Sequence, residues 1–240
     1  MGKQNENEGI IYYTDNRLPE HLNLTCQKFI KESGLPITSS SLKPIDFGDN
    51  EVIDGQRSYP TMVRQIISCL KRSKSKYVFF CEHDVLYPES HFDFTPERDD
   101  IFYYNQNVWR WYYGKEKAIQ HDRMWPLSAM CVNREFALKH YLMRQQKIEE
   151  WGYDHFRSRE PRLARIWGYE PGLKKIKRGG FSDDDYGLFN SKECLVDIRH
   201  SKTFSSPKID LKDFKHKPKW WVEKPIQDIE DWNLKSLFNL

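Results

Sequence analysis

The chain has 240 residues, of which 38% are apolar and 30% charged, with a mean hydropathy of −0.81. That is the profile of a soluble globular protein with one large domain, or a domain and an appendage. A net charge of only +3 argues against a generic polyanion binder, no apolar run reaches the length of a bilayer span, and the polar start MGKQNENEG lacks the apolar core of a signal peptide.

Gly9–Thr14 (GIIYYT) reads as a buried strand ending at Asp15-Asn16. His21–Ser33 has helical spacing in Leu22, Leu24, Phe29 and Ile30, and Gly34 stops it. A strand is expected around Ile37 or Ile45, followed by a polar loop at Gly55–Tyr59. Pro60 then opens a helix whose apolar face is Met62, Ile66, Ile67 and Leu70. Tyr77–Tyr87 (YVFFCEHDVLY) is a strand again. This alternation predicts an α/β fold with a mixed, mostly parallel central sheet flanked by helices.

Ile101–Tyr113 (IFYYNQNVWRWYY) is aromatic and β-like, and Pro126–Asn133 is an apolar strand leading into a helix over Arg134–Glu150. Beyond it come WGYDHF (Trp151–Phe156), the segment Arg159–Tyr169, and the basic loop KKIKRGG (Lys174–Gly180). Leu195–Arg199 is a late strand that ends at His200. From Lys202 the chain turns Lys-, Pro- and Trp-rich. The expected organisation is a polar leader at 1–8, a domain at 9–205, and an extension at 206–240 packed on it. Five scattered cysteines without a C-x-x-C pair point to a reducing, cytoplasmic setting with neither a disulfide framework nor structural zinc. Cys81 and Cys131 are expected to act as small hydrophobes.

The acids of Glu82-His83-Asp84 leave a greasy strand, where an unpaired carboxylate is costly. At i and i+2 of an extended chain, Glu82 and Asp84 face the same side and can hold one hard divalent ion with its phosphate ligands. The bland alternative is a pair of solvated or salt-bridged acids. Glu160 stands before Pro161 at the start of a helix, which favours its ionised form and also fits plain capping. Neutral His200 can serve Mn²⁺, with Arg199 and Lys202 meeting phosphate oxygens. Asp183, in an Asp183-Asp184-Asp185 run, is an alternative acid or merely solvated. Trp109, Trp111 and Tyr113 offer aromatic faces that stack on sugars or bases, or they form core. The tail HKPKWW (His216–Trp221) suits nucleic acid or an acidic glycan, or pins itself to the domain.

FFCEHDVLYP resembles the metal-binding strand of GT-A nucleotide-sugar glycosyltransferases of the D-x-D type, family-two-like, with Glu in place of the first Asp. WGYD, Glu160 and the later WGY resemble the turn, acidic residue and helix end of the same class, with Arg159-Glu160 where a Glu-Asp pair is usual. The resemblance implies a hexosyl- or pentosyltransferase using Mn²⁺ or Mg²⁺ and a nucleotide diphosphate sugar, UDP-sugar favoured. It implies metal contacts from Glu82, Asp84 and His200, and donor contacts from Thr14, Asp15, Asn16, Arg57, Glu82, His83, Arg199 and Lys202. Acceptor contacts would come from Trp109, Trp111, Tyr113 and Asp154. In an inverting reaction Glu160 would be the base, with Asp183 as the other candidate. The IRHSK segment is similar to glycosyltransferases of phages, which brings in a hydroxylated base of DNA as acceptor beside a lipid-linked or surface glycan. The rivals are a non-catalytic nucleic-acid-binding α/β protein and a metal-dependent nucleotidyl or phosphoryl transferase.

Overall fold

The computed structural model describes residues 7–122, 124–151, 186–203, 208–214 and 217–239. Seven strands form the first sheet: β1 (Glu8–Thr14), β2 (Ile37–Ser41), β3 (Asp49–Val52), β4 (Tyr77–Glu82), β6 (Phe102–Asn105), β9 (Met130–Asn133) and β10 (Tyr186–Phe189). Their order is β10-β6-β9-β4-β1-β2-β3, and only the two pairings of β9 are antiparallel. The expected mixed, mostly parallel sheet is therefore present.

Alternation places the core on both faces. Ile11, Tyr13, Val78 and Phe80 point to one side, where they meet α2 (Tyr59–Arg72) and α3 (Arg134–Trp151) through Val63, Ile66, Leu70, Ala137 and Tyr141. Ile10, Tyr12, Phe79 and Cys81 point to the other, against Ile30, Phe47, Tyr87 and Phe92. Ser58 caps α2 by accepting the Thr61 N–H (3.2 Å), with Pro60 in the first turn. The other flanking helix, α1 (Glu20–Glu32), buries Leu22, Cys26 and Ile30 along one stripe and ends at Gly34, whose φ is +69°. Cys81 and Cys131 are both fully buried, as small hydrophobes should be.

A second sheet, absent from the sequence reading, contains β5 (Val85–Leu86), β7 (Val108–Tyr112), β8 (Lys117–His121), β11 (Leu195–Arg199) and β12 (Trp221–Pro225). Its order is β12-β8-β7-β11-β5. The aromatic run 101–113, expected as one element, is two strands in different sheets. Asn105 makes the break: its amide donates to Ser191 Oγ (2.7 Å) and its carbonyl oxygen accepts the Asn107 N–H (2.9 Å). Ser191 itself sits between β10 and β11, so the chain crosses from the first sheet to the second at both places, and one side-chain knot joins them.

The Lys/Pro/Trp-rich tail is an integral part of this second sheet. β12 pairs antiparallel with β8, and Trp232 and the short helix α4 (Leu234–Phe238) pack with Trp111, Val196 and Ile198. No helix among the described residues is long and apolar enough to cross a membrane.

Candidate metal and diphosphate site

The chain passes between the sheets at the turn after β4, and the candidate residues gather there. β4 stops at Glu82, His83-Asp84 turn, and β5 begins the second sheet at Val85. Glu82 and Asp84 thus do not share one extended strand, and the i, i+2 argument fails at the turn. The Glu82 side chain accepts from Tyr13 OH (2.6 Å) and its backbone N–H donates to Tyr87 OH (2.9 Å). Burial, and next the charge of Asp84, push its carboxyl up to about 8.

The partners of Asp84 are instead the two histidines. Its carboxylate Oδ2 lies 3.5 Å from His200 Nε2, and one donor atom each from His83, Asp84 and His200 fall within 4.8 Å of one another. Burial raises the Asp84 carboxyl, but His83, His200 and Arg199 outweigh it and hold it below the usual carboxylate range. Asp84 and His200 are metal candidates of the sequence; His83 replaces Glu82 as the third. Only the end point of β4 decides between them, and no sequence pattern marks that point.

Two ring nitrogens in this cluster, His83 Nδ1 and His200 Nε2, are buried without a hydrogen-bond partner among the described residues. Two imidazoles and a buried carboxylate within reach of one another are a donor set that suits Mn²⁺ or another borderline divalent cation. The Lys202 N–H donates to His200 Nδ1 (3.2 Å), which puts the proton of the neutral ring on Nε2, toward Asp84. A cation taken there would displace that proton. The residues fit a metal.

Around the cluster stand further charges. Asp15, just past β1, is ion-paired with Arg57 and lies 3.9 Å from His83 Nε2. Arg57 also donates to the Lys202 carbonyl (2.9 Å), tying the β1 loop to the His200 turn. Arg199 donates to Asp197 Oδ2 (2.8 Å), and the same oxygen accepts from Arg110 Nε (3.0 Å). Burial opposes the charge of Arg199, but Asp197, Asp84 and Glu82 together hold its pKa above the ordinary value. Asp15, His83, Asp84 and His200 lie just beyond the carboxyl ends of β1, β4 and β11, the usual ligand side of an α/β sheet.

The remaining sequence candidates divide. Thr14 is buried, and its Oγ1 accepts the Asn16 N–H (3.0 Å). The Asn16 side-chain oxygen accepts the N–H groups of Leu42 and Lys43 (2.8 and 2.9 Å), so this side chain braces a loop. Trp111 has no exposed surface and Trp109 almost none, which makes them core of the second sheet rather than pocket lining. Tyr113 is half-buried, with its hydroxyl 3.2 Å from His21 Nε2. Asp154, Glu160 and Asp183 lie outside the described residues, as does the 174–180 loop. The sequence reading missed Tyr13, Arg110 and Asp197. An acid inside the apolar strand LVDIR is the same signal that singled out Glu82, and Asp197 carries it.

No protein-family model and no curated protein matches the chain. Three solved structures superpose loosely on it. One is a glycosyltransferase involved in glycosylation of the major capsid of PBCV-1, with 8% identity over 82% of this chain and 94% of that one, TM-score 0.43. The second is the apo glycosyltransferase GlyE of Streptococcus pneumoniae TIGR4, with 12% identity over 78% of this chain and 46% of that one, TM-score 0.44. The third is a Drosophila β1,4-galactosyltransferase 7 variant in complex with manganese, UDP-Gal and xylobiose, with 11% identity over 86% of this chain and 78% of that one, TM-score 0.42. At these scores the likeness is one of general chain path and says nothing of chemistry.

Proposed function

We propose that this chain is a metal-dependent glycosyltransferase of GT-A type, moving a sugar from a nucleotide diphosphate sugar, UDP-sugar favoured, to a hydroxyl acceptor. The observation that carries this is the His83-Asp84-His200 cluster: two orphaned imidazole nitrogens and a carboxylate at the carboxyl ends of a largely parallel sheet. His83, Asp84 and His200 would hold Mn²⁺, or Mg²⁺, which when bound neutralises charge developing on the leaving diphosphate. Arg199, one residue from His200, and the exposed ammonium of Lys202 are placed to meet phosphate oxygens. Asp15 fixes the far side of the His83 ring, and Arg57 holds Asp15 and the His200 turn together. Thr14 and Asp15, at the end of the first strand, would meet the nucleoside. Glu160 is the candidate base of an inverting reaction, with Asp183 as the other.

Thermal shift against UDP- and GDP-sugars, with and without Mn²⁺, tests the reading. A UDP-sugar should stabilise the protein only when Mn²⁺ is present, by about 2.7 kcal/mol at a hundredfold excess over Kd. Asp84→Asn should lose that stabilisation while keeping its circular dichroism. If no nucleotide sugar stabilises the wild-type chain with metal present, the glycosyltransferase reading is wrong. Salt separates acceptor classes: binding of a DNA acceptor would weaken steeply from low to high salt, whereas that of a small glycan would change little.

A further inference from the structure

One face of the second sheet packs on α4, and on the other Val108 and Leu195 join a core of the first sheet while Arg110 and Tyr112 keep part of their surface exposed. Val196, Ile198, Trp109 and Trp111 point into the core with α4. The alternate residues Asp197, Arg199, Arg110 and Tyr112 share the opposite face, in a register that sets Asp197 beside Arg110 and Arg199 beside Tyr112. On that face lies a cleft of about 550 Å³, with Arg110 and Tyr112 at its floor and β8 and β12 as its wall. This is the size range of a small-molecule site.

The charges in the cleft are not equally neutralised. Lys117 lies between Asp210 (2.9 Å) and Glu223 (3.1 Å), so it offers no excess cation. Arg110 differs. Its Nε donates to Asp197 Oδ2, an oxygen it shares with Arg199. Neither terminal nitrogen of Arg110 has a hydrogen-bond partner among the described residues, and neither is sealed from solvent. A planar two-nitrogen fork therefore opens into the cleft, the geometry that matches two oxygens of one anionic group.

We propose that this cleft is the acceptor site, and that it recognises a saccharide carrying a single anionic group, a carboxylate or a phosphate, through Arg110. The word acceptor rests on the glycosyltransferase reading; the anion site does not. β11 lies between the two places: on one flank its Ile198 N–H donates to the Asp84 carbonyl (2.8 Å), and on the other flank lies β7 with Arg110. Asp210 and Glu223 on the far wall would repel the successive phosphates of a nucleic acid while leaving one anion at Arg110 undisturbed.

The test uses the full chain without donor or metal. Glucuronate, glucose 6-phosphate, glucose and a single-stranded oligonucleotide are titrated and followed by amide chemical shifts. One of the two anionic sugars should bind about tenfold or more tightly than glucose, the factor expected for a charge-assisted fork. Preference for glucuronate identifies a carboxylate, and preference for glucose 6-phosphate a phosphate. Arg110→Gln should erase the preference. Arg110→Lys keeps a cation beside Asp197, so the fold is retained, and it should erase most of the preference by removing the fork. Equal binding of charged and neutral sugars, an unchanged preference in Arg110→Lys, or displacement of the sugars by the oligonucleotide would overturn the proposal. UDP-sugar and Mn²⁺ stabilisation is measured on the same samples. Its absence alongside intact anion binding would overturn the glycosyltransferase reading and leave the anion site standing.

Discussion

His91 offers a stability test with a sign and a size. Its ring is fully buried among Phe79, Tyr87, Phe92 and Phe189, and Nδ1 lies 3.1 Å from Asn105 Nδ2 in the knot where the chain changes sheets. Burial lowers its pKa from 6.5 to about 3, with no acid on hand to compensate. The folded protein therefore refuses a proton that the unfolded chain accepts, and stability falls as pH drops below 6.5, levelling off only near 3. At pH 5 the unfolded state gains RT ln(1 + 10^1.5) from this one residue, which is about 2 kcal/mol; at pH 7.5 it gains almost nothing. The perturbation is His91→Phe, which keeps the ring in its aromatic nest and removes the titration. Urea denaturation of both proteins at pH 7.5 and pH 5 gives four stabilities. Wild type should lose about 2 kcal/mol more than the variant between the two pH values, whatever the variant's absolute stability. His140, also lowered by burial and then by Arg144, is common to both and cancels. Parallel losses in the two proteins would refute the reasoning.

Two further outcomes bear on the site. Because Glu82 is held protonated at pH 7 and engaged by Tyr13, Glu82→Gln should bind Mn²⁺ within about twofold of wild type, whereas Asp84→Asn should weaken it more than tenfold; a tenfold loss in Glu82→Gln, read by manganese electron paramagnetic resonance, would return Glu82 to the ligand set. Arg57→Gln cuts both the Asp15 ion pair and the bond to the Lys202 carbonyl, and should weaken Mn²⁺ binding roughly tenfold with an unchanged circular dichroism spectrum; unchanged metal affinity would remove Arg57 from the support of His83 and His200.

The centre of the first sheet was legible because local signals agree there: Pro60 starts a helix, Gly34 ends one, and β1 and β4 alternate with period two between opposing cores, whereas β3 and β10 were not read as strands. β11 was legible for the same reason. The second sheet was not. KAIQH and WVEKP carry no strong strand pattern, and each becomes a strand because the other lies beside it. The aromatic run 101–113 looked continuous because its break depends on Asn105 meeting Ser191, 86 residues away. At the site, Asp84 and His200 stood out by chemistry and position. The place of His83 did not, because a one-residue difference in where β4 ends decides which side chain shares a cation with Asp84.

The order in which the two sheets are completed along the chain has a consequence for synthesis. His83, Asp84, His200 and the charges around them have all been made by residue 202, before β12 exists. The wall of the cleft and the Trp232, Leu234 and Phe238 plug beneath the second sheet come from the following segment. A nascent chain therefore holds every residue of the cation cluster while the second sheet still lacks its last strand. Removal of the chain after β11 would take away β12 and the Trp232, Leu234 and Phe238 plug together, and would leave every strand of the seven-stranded sheet in place.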